Sequence, residues 1–110
     1  MLVLDANILI RAVLGSRVLT LLRKYADDVE VRAADTAFQE AREHLPRILK
    51  VRGVPMAPAM ATLDLLAELV QRVEPETYSP FEAVARERID RRDVDNWPIL
   101  ASALALDCPI

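Results

Sequence analysis

Side chains with oxygen donors lie at three places where the pattern predicts that a helix begins. Asp5 ends the apolar run 1–4, Glu40 lies about one turn into the helix after a second strand-like segment, and a third polar group precedes an apolar final helix. In an open parallel sheet, ligands usually bind outside the carboxyl ends of the strands, so an acid there can face solvent or a metal. We therefore expect Asp5, Glu40 and an acid near residue 95 at three entrances to one cleft. The residues concerned are Asp5 and Asn7, Glu40, and the group Asp90, Asp93, Asp95 and Asn96.

Each of these residues also has a purely structural explanation. Asp5 or Asn7 would cap the helix that follows, and Glu40 would interact favourably with the dipole of its own helix. Acids just before the last helix would normally cap it. His44 lies one turn beyond Glu40 on the same face, and a lone surface histidine is usually only solvated. The pattern alone leaves both explanations open.

The elements that must position these residues alternate between strand and helix. The predicted strands are 2–5 and 29–33, and residues 108–110 look like the start of another. The predicted helices are 7–14, a second one from Ser16, 36–51 with Thr36 as its cap, 61–73, one from Ser79 to about Arg91, and 99–106. Pro46 should kink the third helix or split it in two. This order indicates an α/β fold.

The third helix separates an apolar face from a polar one. At about 100° per residue, its large apolar side chains fall on one side and its charged ones on the other. The apolar set is Phe38, Ala41, Leu45, Ile48 and Leu49, and the polar set is Glu40, Glu43, His44, Arg47 and Lys50. We expect core packing on the first face and function on the second.

Composition excludes several classes of protein. The 110 residues, 53% of them hydrophobic, fit one domain with a real core. No apolar stretch approaches the roughly 18 residues that span a bilayer, so we expect a cytoplasmic protein without a membrane anchor. Cys108 is the only cysteine, which excludes an internal disulfide and a cysteine-based zinc site. With a net charge of −3, any binding of nucleic acid must be local.

Three segments of the chain resemble the PIN domain family of nucleases. They are Val3-Leu4-Asp5-Ala6-Asn7-Ile8-Leu9, Ala37-Phe38-Gln39-Glu40-Ala41, and the stretch from Arg92 to Ala103 that contains Asp93-Val94-Asp95-Asn96-Trp97-Pro98. Together they span nearly the whole chain. The last segment and Glu40-Ala41-Arg42-Glu43-His44-Leu45-Pro46 are similar to the branch of bacterial and archaeal PIN proteins akin to VapC toxins.

The resemblance implies a three-layer α/β/α domain over residues 1–110, with a small parallel sheet between helices. It also implies a metal-dependent endoribonuclease that uses Mg²⁺ or Mn²⁺, with RNA as substrate and an antitoxin protein as partner. Asp5 and Glu40 carry over as metal ligands, and Asn7 as a polar residue that orients Asp5 or a metal-bound water. Asp93 or Asp95 could substitute for the acid that the family has at position 96. The candidate catalytic residues are thus Asp5, Glu40, Asp93, Asp95 and Asn96, and the candidate metal ligands are Asp5, Glu40, Asp95 and Asn96. From the residues themselves, the candidates for substrate binding are Asn7, His44, Arg47 and Arg92. A homodimer is the default assembly for so small a domain.

Two departures from the family pattern leave a second hypothesis open. Asn96 occupies the position of the family's third acid, where an amide offers oxygen but no charge. The family also continues into a strand and a further acid, so we expect a chain truncated at its C-terminus that lacks the last strands. The alternative is therefore a catalytically impaired PIN-like domain that binds RNA or protein. A phosphatase of the haloacid dehalogenase type is disfavoured, because Asn7 stands where its second aspartate would be.

Overall fold

One small parallel sheet lies at the centre of the fold. A computed structural model of the protein describes residues 1–25 and 27–110, and the Arg92 side chain lies outside the described part. The strands are β1 (Leu2–Leu4), β2 (Val31–Ala34) and β3 (Gln71–Val73), in the order β1-β2-β3. Leu4 pairs with Ala33, and Ala34 pairs with Val73. All pairs are parallel, so the strands end at the same edge of the sheet.

Helices cover both faces of this sheet, which gives the predicted three-layer α/β/α arrangement. The helices are α1 (Ala6–Leu14), α2 (Ser16–Tyr25), α3 (Asp35–Arg52), α4 (Met56–Leu69), α5 (Pro75–Tyr78), α6 (Glu82–Arg88) and α7 (Trp97–Leu106). Short 3₁₀ turns span Ser79–Phe81 and Arg91–Asn96. In the described part of the chain, no helix is both long and apolar enough to cross a membrane.

The larger part of the core lies between the sheet and helices α1, α3 and α4. Leu4 and Ala33 face this layer, because alternate residues of a strand point to opposite faces. The fully buried leucines here are Leu9, Leu45, Leu49, Leu63 and Leu66. The predicted apolar face of α3 is confirmed at Phe38, Ala41, Leu45 and Leu49, and Ile48 is half-buried.

The opposite face of the sheet is covered by α7. Val3 packs against Ile99 and Ala103, and Ala34 packs in a cluster that includes Ala101. The alanines leave room for the helix to lie close to the strands. Ser102 is fully buried, and its hydroxyl donates to the Pro98 carbonyl at 2.7 Å, so its polarity is satisfied within the helix.

Strand β3 corrects the prediction of a helix over residues 61–73. Helix α4 begins at Met56, five residues before the predicted start, and its C-cap Val70 has extended backbone angles. Pro58 lies in the first turn of α4, where a missing N–H costs no helical hydrogen bond. Residues 71–73 then pair with β2. These residues form a strand because they pair with β2. The local periodicity of the sequence did not indicate this pairing.

Two predicted helix caps were wrong, and Pro46 does not split α3. Helix α3 begins at Asp35 without a side-chain cap, so Thr36 does not cap it, and it continues through Pro46 to Arg52 as one helix. Burial of residues on both sides of Pro46 holds the two halves against the same core. Ser79 has helical backbone angles and is the first residue of a 3₁₀ turn, so it is not an N-cap, and α6 ends at Arg88.

The last residues of the chain lie beside β1. No strand is assigned to residues 108–110, but the Val3 N–H donates to the Pro109 carbonyl at 3.0 Å. Cys108 is half-buried and packs near Val3, Ile99 and Ala103. Instead of the predicted strand, this segment forms one backbone hydrogen bond to the free edge of β1.

A buried tyrosine joins the α5–α7 layer to the end of β2. The Tyr78 hydroxyl donates to Asp35 Oδ1 at 2.6 Å, and its ring meets the Trp97 ring edge-on at 5.6 Å between centroids. Burial raises the pKa of Tyr78 well above its usual range, and the hydrogen bond and charge of Asp35 raise it further. Tyr78 is thus held neutral as a hydrogen-bond donor.

We predict that Tyr78→Phe lowers the free energy of unfolding by about 1–2 kcal/mol, because it removes a charge-assisted hydrogen bond from a partly buried carboxylate. Urea unfolding of both proteins measures the difference. Tyr25→Phe is the matched control, since Tyr25 is exposed. Equal destabilisation by the two substitutions would contradict this role of Tyr78.

The same pair sets a pH dependence. The folded-state pKa of Tyr78 is raised, so its contribution to stability is complete below the ordinary tyrosine pKa of about 10 and is lost as the pH rises above it. Stability of the wild type should therefore fall more steeply above about pH 10 than that of Tyr78→Phe.

Candidate active site

Asp5 lies directly after β1 and serves two purposes. Its Oδ1 accepts from the Ile8 N–H at 3.0 Å, so it caps α1 as the structural explanation expected. This bond fixes the side-chain rotamer, and a carboxylate has a second oxygen for other partners. Asp5 also lines a surface cleft. Capping and a functional role are therefore compatible at this residue.

The cleft, of about 380 Å³, lies between the end of β1, the start of α1 and the segment that leads into α7. We call it the acidic cleft. It is lined by Asp5, Asn7, Arg88, Ile89, Asp90, Asp93, Asn96, Ile99, Leu100 and Ile110. Four of the predicted site residues meet here, from two distant parts of the sequence: Asp5, Asn7, Asp93 and Asn96.

The 3₁₀ segment Arg91–Asn96 brings the second half of this cleft into place. The Asp93 N–H donates to the Asp90 carbonyl at 2.9 Å, which turns the chain before α7. Buried Pro98 and Ile99 then anchor the first turn of that helix. Asn96 stands at the N-cap position but makes no capping hydrogen bond with its side chain. The capping explanation therefore does not account for Asn96, whose amide borders the cleft.

Glu40 lies in a neighbouring pocket of about 240 Å³ rather than in the acidic cleft. Asn7 borders both spaces, so they are adjacent. His44 and Arg47, which lie on the same face of α3 as Glu40, line this second pocket with it. The Arg92 side chain, also predicted to bind substrate, lies outside the described residues.

Asp95 does not line the acidic cleft, although its neighbours Asp93 and Asn96 do. It lines a third pocket, of about 330 Å³, that Glu40 and His44 also border. The predicted acids therefore line different pockets, with Asp5 and Asp93 in the acidic cleft and Glu40 and Asp95 together in the third pocket. Glu40 Oε1 lies 3.9 Å from His44 Nε2, a pair that is ionic when the imidazole is protonated.

The acidic cleft has the donor chemistry of a hydrated divalent cation site. Mg²⁺ binds through one or two carboxylates and keeps several waters, and Mn²⁺ also favours oxygen ligands. Asp5 and Asp93 supply carboxylates, and Asn7 and Asn96 supply amide oxygens. Among the described residues, no three His, Cys, Asp or Glu side chains are close enough to enclose one ion. The residues therefore fit a loosely held, hydrated ion and not a closed metal site.

Two further charged residues line this cleft that had no catalytic, metal-binding or substrate-binding role assigned from the sequence. Arg88 is the last residue of α6, and Asp90, which belongs to the acid group expected before the last helix, comes just before the 3₁₀ segment. Asp35 and Glu74 also follow strands, as Asp5 does, but neither lines the acidic cleft, and Asp35 accepts from Tyr78.

Comparison with known proteins identifies the family of this chain. Searches among curated proteins and among solved structures found no significant similarity. A family model described as PIN domain matches residues 3–110, nearly the whole chain, including Asp5, Glu40 and the segment before α7. The fold agrees with this match, since a small parallel sheet lies between two helical layers. The chain therefore belongs to the PIN domain family, whose members are generally nucleases.

Proposed function

We propose that the protein is a metal-dependent endoribonuclease that hydrolyses phosphodiester bonds of RNA at the acidic cleft. The observation that carries this proposal is the meeting of Asp5, Asn7, Asp93 and Asn96 in one cleft at the carboxyl end of β1. Membership of the PIN family supports the nuclease class. RNA as the substrate and Mg²⁺ or Mn²⁺ as the cofactor are parts of the proposal.

Asp5 and Asp93 would hold the ion, with the Asn96 amide oxygen as a neutral neighbour. When bound, Mg²⁺ or Mn²⁺ supplies Lewis acidity for attack of water on the phosphorus atom and for the charge that develops on the leaving oxygen. Asp5 is held in place for this task by its hydrogen bond to the Ile8 N–H, so ordering its rotamer costs little on binding.

Other residues of the cleft act on the substrate. The Asn7 amide can donate to a phosphate oxygen or orient Asp5, because it borders the same space. Arg88 also lines the cleft, and its positive charge would offset the negative charge of the acids toward an incoming phosphate. Glu40 and Asp95 remain proposed ligands, since the pocket of Glu40 adjoins the cleft through Asn7.

A second candidate function follows from the neutral residue at position 96. With Asn96 in the cleft, and no enclosing group of three acids in the described part of the chain, a bound cation has one charged ligand fewer than an acid at position 96 would give it. The alternative is therefore a PIN domain with impaired catalysis that binds RNA or a protein through the same surface. The two candidates differ in whether cleavage depends on Asp5.

We also propose the partners that the family resemblance implies. They are an antitoxin protein that inhibits the nuclease, and a second copy of the chain in a C₂ dimer in the cytoplasm. Co-purification of the protein expressed with its neighbouring gene, followed by light scattering, tests both partners.

We predict that Asp5→Asn lowers Mn²⁺-dependent cleavage of single-stranded RNA by at least about a hundredfold, because it removes a charge from the proposed ion site. Asparagine is also a good N-cap, so α1 should be retained. Cleavage of a fluorophore-quencher RNA measures the rate. Asp28→Asn, in the exposed turn before β2, is the control and should keep full activity. Equal activity of both variants would exclude Asp5 from the reaction.

We predict that Asn96→Asp raises the same rate by about tenfold or more, because a further carboxylate beside Asp5 and Asp93 strengthens binding of the cation. The gain should disappear with EDTA and in the double variant that also carries Asp5→Asn. Unchanged cleavage in Asn96→Asp would show that residue 96 does not act on the metal.

A further inference from the structure

The pocket next to the acidic cleft contains an arginine and a histidine of α3. It is lined by Asn7, Glu40, His44, Arg47 and the apolar residues Ile10 and Ile48, and we call it the basic pocket. Asn7 borders it on one side and the acidic cleft on the other. A ligand that occupied both spaces would therefore pass over Asn7.

Arg47 is the strongest candidate donor of the basic pocket. Its side chain is exposed, and within the described part of the chain it makes no ion pair. Two other exposed arginines are paired, Arg42 with Asp64 at 2.8 Å and Arg86 with Glu82 at 2.8 Å. The Arg47 guanidinium is thus available to an anion, and its planar donors match the oxygens of a phosphate.

His44 and Asn7 add donors on either side of this arginine. The two ring nitrogens of His44 can donate when the imidazole is protonated, and the Asn7 amide donates regardless of pH. Glu40 Oε1 lies 3.9 Å from His44 Nε2. The pocket therefore combines an arginine, an imidazole and an amide beside one carboxylate.

We propose that the basic pocket binds a phosphate of the RNA strand next to the one that is cleaved. This inference rests on the proposed ribonuclease function, since it places the scissile phosphate in the acidic cleft. An RNA strand carries a phosphate at every nucleotide, so a substrate that passes over Asn7 brings a neighbouring phosphate to Arg47. Arg47 is the main contact, and His44 and Asn7 support it.

Salt dependence of binding tests the interaction without cleavage. Fluorescence anisotropy of a labelled oligouridylate in EDTA gives the affinity at several salt concentrations. When a protein neutralises one phosphate fewer on a single strand, the slope of log K against log salt becomes shallower by about 0.7. We expect Arg47→Gln to show this change, with an affinity about fivefold lower at low salt. Arg23→Gln, which removes an exposed arginine from α2, should leave the slope unchanged.

Several results would overturn the proposal. An unchanged slope in Arg47→Gln, or an equal change in Arg23→Gln, would exclude a specific interaction of Arg47 with phosphate. Displacement of the oligonucleotide by inorganic phosphate at the same concentration of phosphate groups would show a site for a free anion instead. In that case Arg47 would bind a free anion and not a phosphate of an RNA strand.

Kinetics separate this proposal from the proposed function. Arg47→Gln should raise KM with little change in kcat, whereas Asp5→Asn should lower kcat and leave binding in EDTA intact. A wild type that never cleaves RNA but shows the Arg47 salt effect would refute the nuclease and support the phosphate subsite as part of a binding surface. Cleavage that depends on Asp5 with no effect of Arg47 on KM or slope would refute only the subsite.

Discussion

Parallel pairing of three short strands is the constraint on which the rest of the structure depends. Helices cover both faces of the sheet with apolar side chains. Polar side chains near the sheet therefore reach solvent at the ends of the strands. Each strand is followed by an acid: Asp5 after β1, Asp35 after β2 and Glu74 after β3. Parallel register brings these acids to one edge, where their partners differ. Asp35 accepts from Tyr78 and holds two layers together, and Asp5 caps α1 and lines the acidic cleft.

Helix α7 forms the other wall of the cleft. Contacts with the core fix the position of its first turn. Ile99 and Ala103 pack on Val3, and Trp97 packs on Tyr78. The 3₁₀ segment before the helix therefore presents Asp93 and Asn96 to Asp5 at a fixed place. Arg86 lies 5.0 Å from the centre of the Trp97 ring, which further restricts this corner. Packing in one layer thus determines which polar residues meet at the sheet edge.

Much of the fold followed from the sequence where local signals were strong. The first strand, the capping acid Asp5, the apolar face of α3 and the last helix were predicted from periodicity and cap residues. Strand β3 was not, because its three residues form a strand only by pairing with β2. The sequence shows the acids and their order along the chain. It does not show that Asp5 and Asp93 line one pocket and Glu40 and Asp95 another, because this depends on how α1, α3 and the 3₁₀ segment pack. No local pattern contains that information.

A divalent cation held by Asp5 and Asp93 in the acidic cleft is central to the proposed function. Paramagnetic broadening by Mn²⁺ in a two-dimensional NMR spectrum of the backbone amides tests it directly, since the effect falls steeply with distance from the ion. At low Mn²⁺, the amides of Ala6, Asn7, Asp93 and Asn96 should broaden first, and Asp5→Asn should remove this selectivity. Broadening that begins at Asp27 and Asp28, or around Glu43, and that persists unchanged in Asp5→Asn, would contradict a cation site at Asp5.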